Sequence, residues 1–181
     1  MTNQIPDLCV HREQVFDLIA SSEPGPLPSA VRDLALEAPH SALWRGYQAR
    51  YRITEAQLEL AELTVHISGG PAPALFGGAA ELDPGCPGRF SYAPSGAKLS
   101  YSGGLLVGAE LDPEAVESCS PPAPWCFDQL RELVFHDGRM IAEHDRSSQA
   151  RARRLELARD PEASPAPGLD ASVCDYGPIW L

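Results

Sequence analysis

Apolar and polar residues alternate through much of the middle of the chain. From Trp44 onward, one face of the alternation collects the apolar and aromatic residues, which are Tyr47, Ala49, Tyr51 and Ile53. A period of two is typical of a half-buried β-strand, because successive side chains point to opposite faces of a sheet. The stretch LWRGYQARYRI therefore predicts a strand of a central sheet.

The alternation resumes after a short turn, TEAQ, but it changes phase within the next strand. Leu58 and Leu60 share one phase, whereas Leu63, Val65 and Ile67 share the other. A slip of one residue is the sequence signature of a β-bulge, in which one strand carries an extra residue. The two strands together predict a hairpin whose second strand bends.

Further strands are predicted toward the C-terminus. RFSYA at 89–93 alternates, and residues 98–111 alternate on both sides of a glycine pair, where we expect a bend. The clearest signal is Asp137-Gly138 between two strand-like segments, since this dipeptide favours the tight turn of a β-hairpin.

Helices are predicted near the two ends. Residues 7–20 begin with a possible cap, Asp7, and carry three apolar residues at helical spacing, which are Val15, Phe16 and Ile19. A second short helical turn is predicted after Ser29, where the serine would act as its cap. The arginine-rich residues 145–160 predict a third helix.

These elements predict an α+β fold: one predominantly antiparallel, twisted sheet of about six to eight strands with short terminal helices. The length of 181 residues indicates one globular domain, which we place at 1–160, followed by a Pro-rich C-terminal tail at 161–181. The tail ends in Ile179, Trp180 and Leu181, and an apolar terminus more often docks on its own domain than extends into water.

The charge balance limits the class of partner. Fourteen basic and 25 acidic residues give a net charge of -11. This argues against a chain that follows a nucleic-acid backbone, and it favours a basic protein partner. The arginines at 151, 153 and 154 are expected to form ion pairs with the acidic sheet. The oligomeric state is left open.

Cysteine usage and the absence of apolar segments predict the compartment. The five cysteines are irregularly spaced, and the opening residues have neither the basic nor the apolar region of a signal peptide. No run of apolar residues is long enough to span a membrane. We therefore predict a cytoplasmic protein with reduced thiols.

No group of catalytic or metal-ligating residues stands out. Cys119 and Cys126 are farther apart than the pairs of a structural zinc site, and no known nucleophile motif is present. Alternating acidic residues such as Glu143 and Asp145 are more typical of the hydrated face of a sheet than of a glycosidase. We predict no catalytic residue, no metal ion and no cofactor.

Two other functions remain open at this point. The first is a small hydrolase, in which distant carboxylates would converge with His136 or His144. The second is a small-ligand binder formed by a curled sheet, whose pocket would be lined by Tyr47, Tyr51, Phe90 and Tyr92.

The aromatic, arginine-rich strand supplies the candidate binding site, which comprises Trp44, Arg45, Tyr47, Arg50 and Arg52. Tryptophan and arginine are the residues that dominate binding hot spots. The alternative is structural: the aromatic rings fill the core, and the arginine stems cover its rim.

The segment ALWRGYQARYRITEAQLEL resembles the opening hairpin of a group of small bacterial proteins of unassigned function. The matching positions are Trp44, Arg45, Gly46, Tyr47, Ile53, Leu58 and Leu60. The resemblance extends over about residues 40–145 and implies no catalytic residues. Proteins of this size sometimes serve as immunity or antitoxin partners in bacteria. We therefore expect a non-catalytic protein-binding module, of immunity or antitoxin type, that neutralises a basic effector.

Overall fold

The computed structural model describes residues 4–22, 24–68, 70–94, 96–113 and 122–160. The elements of this part of the chain are β1 (Asp7–His11), β2 (Gln14–Ser21), α1 (Ser29–Arg32), β3 (Tyr47–Thr54), β4 (Gln57–His66), β5 (Glu81–Leu82), β6 (Arg89–Tyr92), β7 (Ala97–Lys98), β8 (Gly103–Leu111), β9 (Phe127–His136), β10 (Arg139–Asp145) and α2 (Ser147–Arg159). Two 3₁₀ turns cover Ser41–Leu43 and Pro124–Cys126.

The described strands form one mixed sheet of ten strands, which is more than the six to eight predicted. Its order is β10-β9-β8-β2-β1-β3-β4-β6-β5, and β7 pairs with β4. All pairings are antiparallel except that of β1 with β3. The predicted α+β class, dominated by antiparallel pairing, is confirmed at this level.

The helix predicted over residues 7–20 is wrong, because this segment is the hairpin β1–β2. Arg12 and Glu13 both have positive φ and form its two-residue turn. Val15 faces outward and Phe16 inward, whereas Ile19 lies at a register shift between β2 and β8. Because of the bulge at Ile19, the apolar residues Val15, Phe16 and Ile19 have a helix-like spacing in the sequence although they lie on two faces of a strand.

The hairpin β3–β4 agrees with its prediction. Its register shifts between Arg50 and Tyr51, which pair with Glu62 and Leu60, so that Ala61 is the extra residue of β4. Because of this bulge, both sets of leucines in β4 reach the core. The phase change in the sequence was therefore a true structural signal.

The hairpin β9–β10 also agrees with its prediction, and it curls the sheet toward β4. Asp137 and Gly138 form the turn. The Leu58 amide donates to the Gly138 carbonyl at 2.8 Å, and the Met140 amide donates to the Ala56 carbonyl at 2.7 Å. The two hairpin tips thus join the first strand of the sheet order to β4.

Two hydrophobic clusters stabilise the sheet. The larger lies inside the curl and includes Cys9, Phe16, Tyr51, Leu58, Leu105 and Leu133. The smaller lies on the outer side of β2, β8 and β9, beneath α2, and consists of Ile19, Ala20, Leu106, Cys126, Phe127, Leu130 and Ala150. The sheet is therefore covered by a helix over only part of its outer face.

The third predicted helix is confirmed as α2, while the second is much shorter than its sequence suggested. α1 begins at Ser29 as its first residue and ends at Arg32. In α2, Arg154 contacts Asp112 at 2.7 Å and Asp128 at 2.6 Å, as expected for an arginine-rich segment beside an acidic sheet. Neither helix of the described part of the chain has the length and apolar character needed to cross a membrane.

The predicted tail at 161–181, with Ile179, Trp180 and Leu181, lies outside the described residues. Its predicted docking, and the predicted extent of the domain over 1–160, therefore stay predictions.

Candidate binding surface

The structure assigns Arg45 to the interior rather than to an exposed anchor. Both of its terminal nitrogens donate to the Asp7 carboxylate, at 3.1 and 3.2 Å. Asp7 is 4% exposed and also accepts the Ala49 amide at 2.8 Å. Burial raises the pKa of Asp7, while the Arg45 charge and the Ala49 amide counteract the shift. Arg45 thus joins the start of β1 to β3.

The two tyrosines of β3 lie beside this buried pair. The Arg45 guanidinium stacks over the Tyr47 ring at 4.7 Å. Tyr51 is fully buried, and no described residue offers its hydroxyl a hydrogen bond. Burial raises the pKa of both phenols, and the Asp7 charge adds to the effect. Both tyrosines therefore pack in the structural role that was the alternative to the predicted binding site.

The other predicted site residues face outward. Trp44 is 48% exposed, and Arg52 is exposed with no ion-pair partner among the described residues. Arg50 approaches Glu62 on β4 at 3.9 Å. The sequence-predicted site therefore divides, since Arg45 and Tyr47 support the fold while Trp44, Arg50 and Arg52 are available to a partner.

A cleft of about 330 Å³ opens at the end of β4, near Trp44. Its lining residues are Glu37, Ala38, Pro39, His66, Ile67, Ser68, Pro87 and Gly88. A Cβ atom on Gly46 would lie 2.7 Å from the Glu37 carbonyl oxygen, so the two backbones are in contact. Trp44 is two residues from Gly46, hence within about 7 Å of it along the chain.

Backbone hydrogen bonds fix the walls of the cleft. The Glu37 amide donates to the His66 carbonyl at 2.9 Å, and the His66 amide donates to the Gly46 carbonyl at 2.8 Å. The Ile67 amide donates to the Gly88 carbonyl at 2.9 Å. Three separate segments are thus held around one opening, which is a preformed geometry typical of binding sites.

The cleft carries one acidic group. The Ser68 hydroxyl donates to the Glu37 carboxylate. Burial lowers the pKa of His66, and the nearby Arg89 charge and His40 lower it further. The imidazole is therefore neutral near pH 7, and the positive charge of Arg89 is paired with Asp83 at 3.2 Å. The charge facing the opening is that of Glu37.

Glu37, His66 and Ser68 are the kinds of residue a hydrolase uses, but their setting does not favour catalysis. Glu37 and Ser68 are both exposed, so little desolvation acts on the carboxylate or the hydroxyl. No sequence signal predicts this grouping, because Glu37 lies after the predicted turn at Ser29 and Ser68 lies between the predicted strands. The two segments meet in the folded chain through the Leu36–Ile67 bridge and through the hydrogen bond between Ser68 and Glu37.

The histidines predicted for a hydrolase are not at a common site. His136 and His144 are both exposed and lie at different levels of the hairpin β9–β10. Glu143 instead accepts from His11 at 3.2 Å and Arg12 at 2.8 Å, with His11 6% exposed. This buried contact is a histidine–carboxylate pair that the sequence did not indicate.

The aromatic residues proposed to line a ligand pocket are packed together. Tyr51, Phe90 and Tyr92 belong to the inner hydrophobic cluster, and Tyr47 packs against it. The Tyr92 hydroxyl donates to the Pro73 carbonyl at 2.8 Å, and the Phe76 ring meets Tyr92 edge to face. These side chains act as core.

Thiols and acids of the described residues do not assemble a metal site, since no three His, Cys, Asp or Glu side chains there lie close enough to hold an ion. Cys9 and Cys86 are free thiols. Burial raises the pKa of Cys9 to about 12, so this thiol is unreactive.

Comparison of the chain with protein-family models, with curated proteins and with solved structures gives no match. The function is therefore argued from the geometry of this chain alone.

Proposed function

We propose that the chain is a non-catalytic, cytoplasmic protein-binding module whose partner is a basic protein, of the kind that immunity proteins and antitoxins neutralise. The observation that carries the proposal is an exposed Trp44 in the same region as a preformed cleft whose charge comes from Glu37, since the Glu37 backbone contacts Gly46, two residues from Trp44. An exposed aromatic side chain and a carboxylate in one region of the surface suit the capture of a lysine or arginine side chain.

The distribution of charge supports a basic partner. Many arginines are used within the molecule, among them Arg45, Arg89 and Arg154, each of which contacts a carboxylate at 3.2 Å or less. Glu13 is exposed at the β1–β2 turn, with no ion-pair partner among the described residues. With a net charge of -11, the chain would attract a basic protein over a distance and associate with it in a salt-dependent way.

The test is capture of partners from a bacterial lysate on the immobilised protein, followed by affinity measurements with each purified candidate at several ionic strengths. Trp44→Ala and Glu37→Gln should each weaken binding by at least about tenfold, which corresponds to 1.4 kcal/mol. Ile141→Ala and Glu55→Gln are matched controls, since Ile141 is 65% exposed on β10 and Glu55 lies at the β3–β4 turn. Neither control should change the affinity.

Two results would contradict the proposal. One is a captured partner whose affinity is the same in the Trp44 and Glu37 variants as in the wild type. The other is an affinity that does not fall as the salt concentration rises, because an acidic module that binds a basic protein must lose attraction when charges are screened.

A further inference from the structure

The outer face of the sheet carries an uncovered apolar strip on β1 and β2. Leu8, Val10 and Val15 point away from the curl, because their neighbours Asp7, Cys9 and His11 are the buried residues of β1. None of the three belongs to either hydrophobic cluster, and Val15 is 44% exposed. In the described part of the chain, the cover provided by α2 lies on β8 and β9 instead.

A carboxylate without a partner borders one side of this strip. Asp17 pairs with Leu8 across β1 and with Gly108 across β8. A Cβ atom on Gly108 would lie 2.6 Å from the Phe127 ring and 2.7 Å from Ile19, so apolar groups crowd Asp17 on that side. No described residue forms a hydrogen bond or an ion pair with Asp17. Burial alone raises its pKa.

Two arginines border the other side of the strip. The register places Arg50 opposite Leu8 and Arg52 opposite Val10. The Nε atom of Arg50 is buried and has no hydrogen-bond partner, and the Arg50–Glu62 contact is long at 3.9 Å. Arg52 has no ion-pair partner among the described residues.

Within one chain, Asp17 and Arg50 are separated by Leu8. They lie two strands apart, which is about 10 Å between Cα atoms, and the leucine side chain stands between them. A half-buried carboxylate and an incompletely bonded guanidinium therefore face the same side of the sheet without reaching each other. Each is costly to leave in this state.

We propose that this face binds a second copy of the same chain in a two-fold symmetric dimer. A two-fold axis along β1 exchanges the two borders of the strip, so Asp17 of each copy meets Arg50 of the other. Leu8 and Val10 then lie on the axis against their own counterparts, and Val15 packs on the stem of Arg52. The strip is self-complementary in both charge and apolar character, as an isologous interface requires.

The arrangement also agrees with the geometry of packed sheets. Two sheets packed face to face lie about 10 Å apart, a gap that an arginine side chain can cross. Burial of the apolar strip supplies the hydrophobic contribution, and the two Asp17–Arg50 contacts fix the register. The dimer covers Arg50 and Arg52, but it uses neither Trp44 nor the residues that line the cleft, so the part of the surface on which the proposed function rests stays free.

The test is sedimentation equilibrium of the purified full chain over a range of protein concentrations. The wild type should associate to a dimer. Asp17→Arg and Arg50→Asp should each weaken dimerisation by at least tenfold, because each places like charges across the axis. The double variant D17R/R50D should recover dimerisation, since it restores two opposite-charge contacts.

Two further variants guard against misfolding and unspecific charge effects. Val15→Lys changes a side chain that is already exposed, and it should weaken dimerisation with an unchanged circular dichroism spectrum. Glu81→Arg alters an exposed acid on β5, away from the strip, and should leave dimerisation unchanged.

A wild type that remains monomeric at every concentration would overturn the proposal, and so would a double variant that fails to recover. If the wild type is monomeric, and deletion of residues 161–181 increases hydrogen exchange in β1, the face belongs to the tail and the dimer is excluded.

Discussion

Asp7 and Arg45 show how one side chain can be misjudged from sequence and still be important. Arginine next to tryptophan in an alternating strand is a combination common at binding surfaces, which is why the sequence favoured Arg45 as a contact residue. The glycine that follows Arg45 turns the chain, with a φ of 72° at Gly46, and the Arg45 guanidinium contacts Asp7. Nothing in the local pattern reports this, because Asp7 belongs to a strand that the sequence assigned to a helix.

Replacement of Arg45 by alanine should lower the free energy of unfolding by about 3–5 kcal/mol, because it leaves the buried Asp7 carboxylate without its counter-charge. Chemical denaturation monitored by circular dichroism measures the change. Arg151→Ala on the exposed face of α2 is the matched control and should stay within about 0.5 kcal/mol of the wild type. Equal stabilities of the two variants would contradict a structural role for the Asp7–Arg45 pair.

Hairpins are the elements that the sequence predicts best, provided that their turns have a strong signal. Asp137-Gly138 marked β9–β10 correctly, and the change of phase located the β4 bulge. The Arg12-Glu13 turn gave no such signal, since neither residue is typical of a turn with positive φ. The error over residues 7–20 therefore came from unusual turn residues combined with a bulge in β2.

Gly138→Ala should be far more damaging than an equivalent change at another glycine of positive φ. At Gly138 a Cβ atom would lie 1.9 Å from the Leu99 carbonyl oxygen, where the hairpin tip meets the segment that follows β7. At Gly77 the φ is also 77°, but nothing lies within 4 Å.

We expect Gly77→Ala to lose about 1–2 kcal/mol of stability, the cost of the backbone conformation alone. Gly138→Ala should lose clearly more, measured by thermal and denaturant unfolding of both variants. If the two losses are equal, the contact between the hairpin tip and Leu99 does not hold the sheet closed.

At the scale of the whole molecule, the curl of the sheet depends on contacts between residues far apart in sequence. β10 joins β4 only at the hairpin tips, and farther along β10 the contact is made by Glu143 with His11 and Arg12 of the first hairpin. The sequence indicated neither the parallel pairing of β1 with β3 nor this contact, because alternation predicts strands but not their neighbours. The cleft at the end of β4 escaped prediction for the same reason.

Glu143→Gln should loosen the contact between β10 and the first hairpin without unfolding the protein. The change removes the negative charge that faces His11 and Arg12, and we expect a loss of about 1.5–3 kcal/mol. Hydrogen exchange followed by mass spectrometry should show faster exchange in 11–14 and 140–145. Glu13→Gln, at the exposed neighbouring turn, is the control, and similar exchange in both variants would contradict the assignment.

The position of β1–β2 in the sheet order has a consequence for folding during synthesis. The hairpin β1–β2 precedes the other described strands along the chain, yet it occupies the middle of the sheet, where β3 borders one side and β8 the other. During synthesis, Phe16 and Leu18 stay exposed and both edges of the β1–β2 hairpin stay unpaired until β3 and β8 have been made. An N-terminal truncation past Ser21 would remove the middle of the sheet, and β8 and β3 would then be connected only through the contact of β10 with β4 at the hairpin tips.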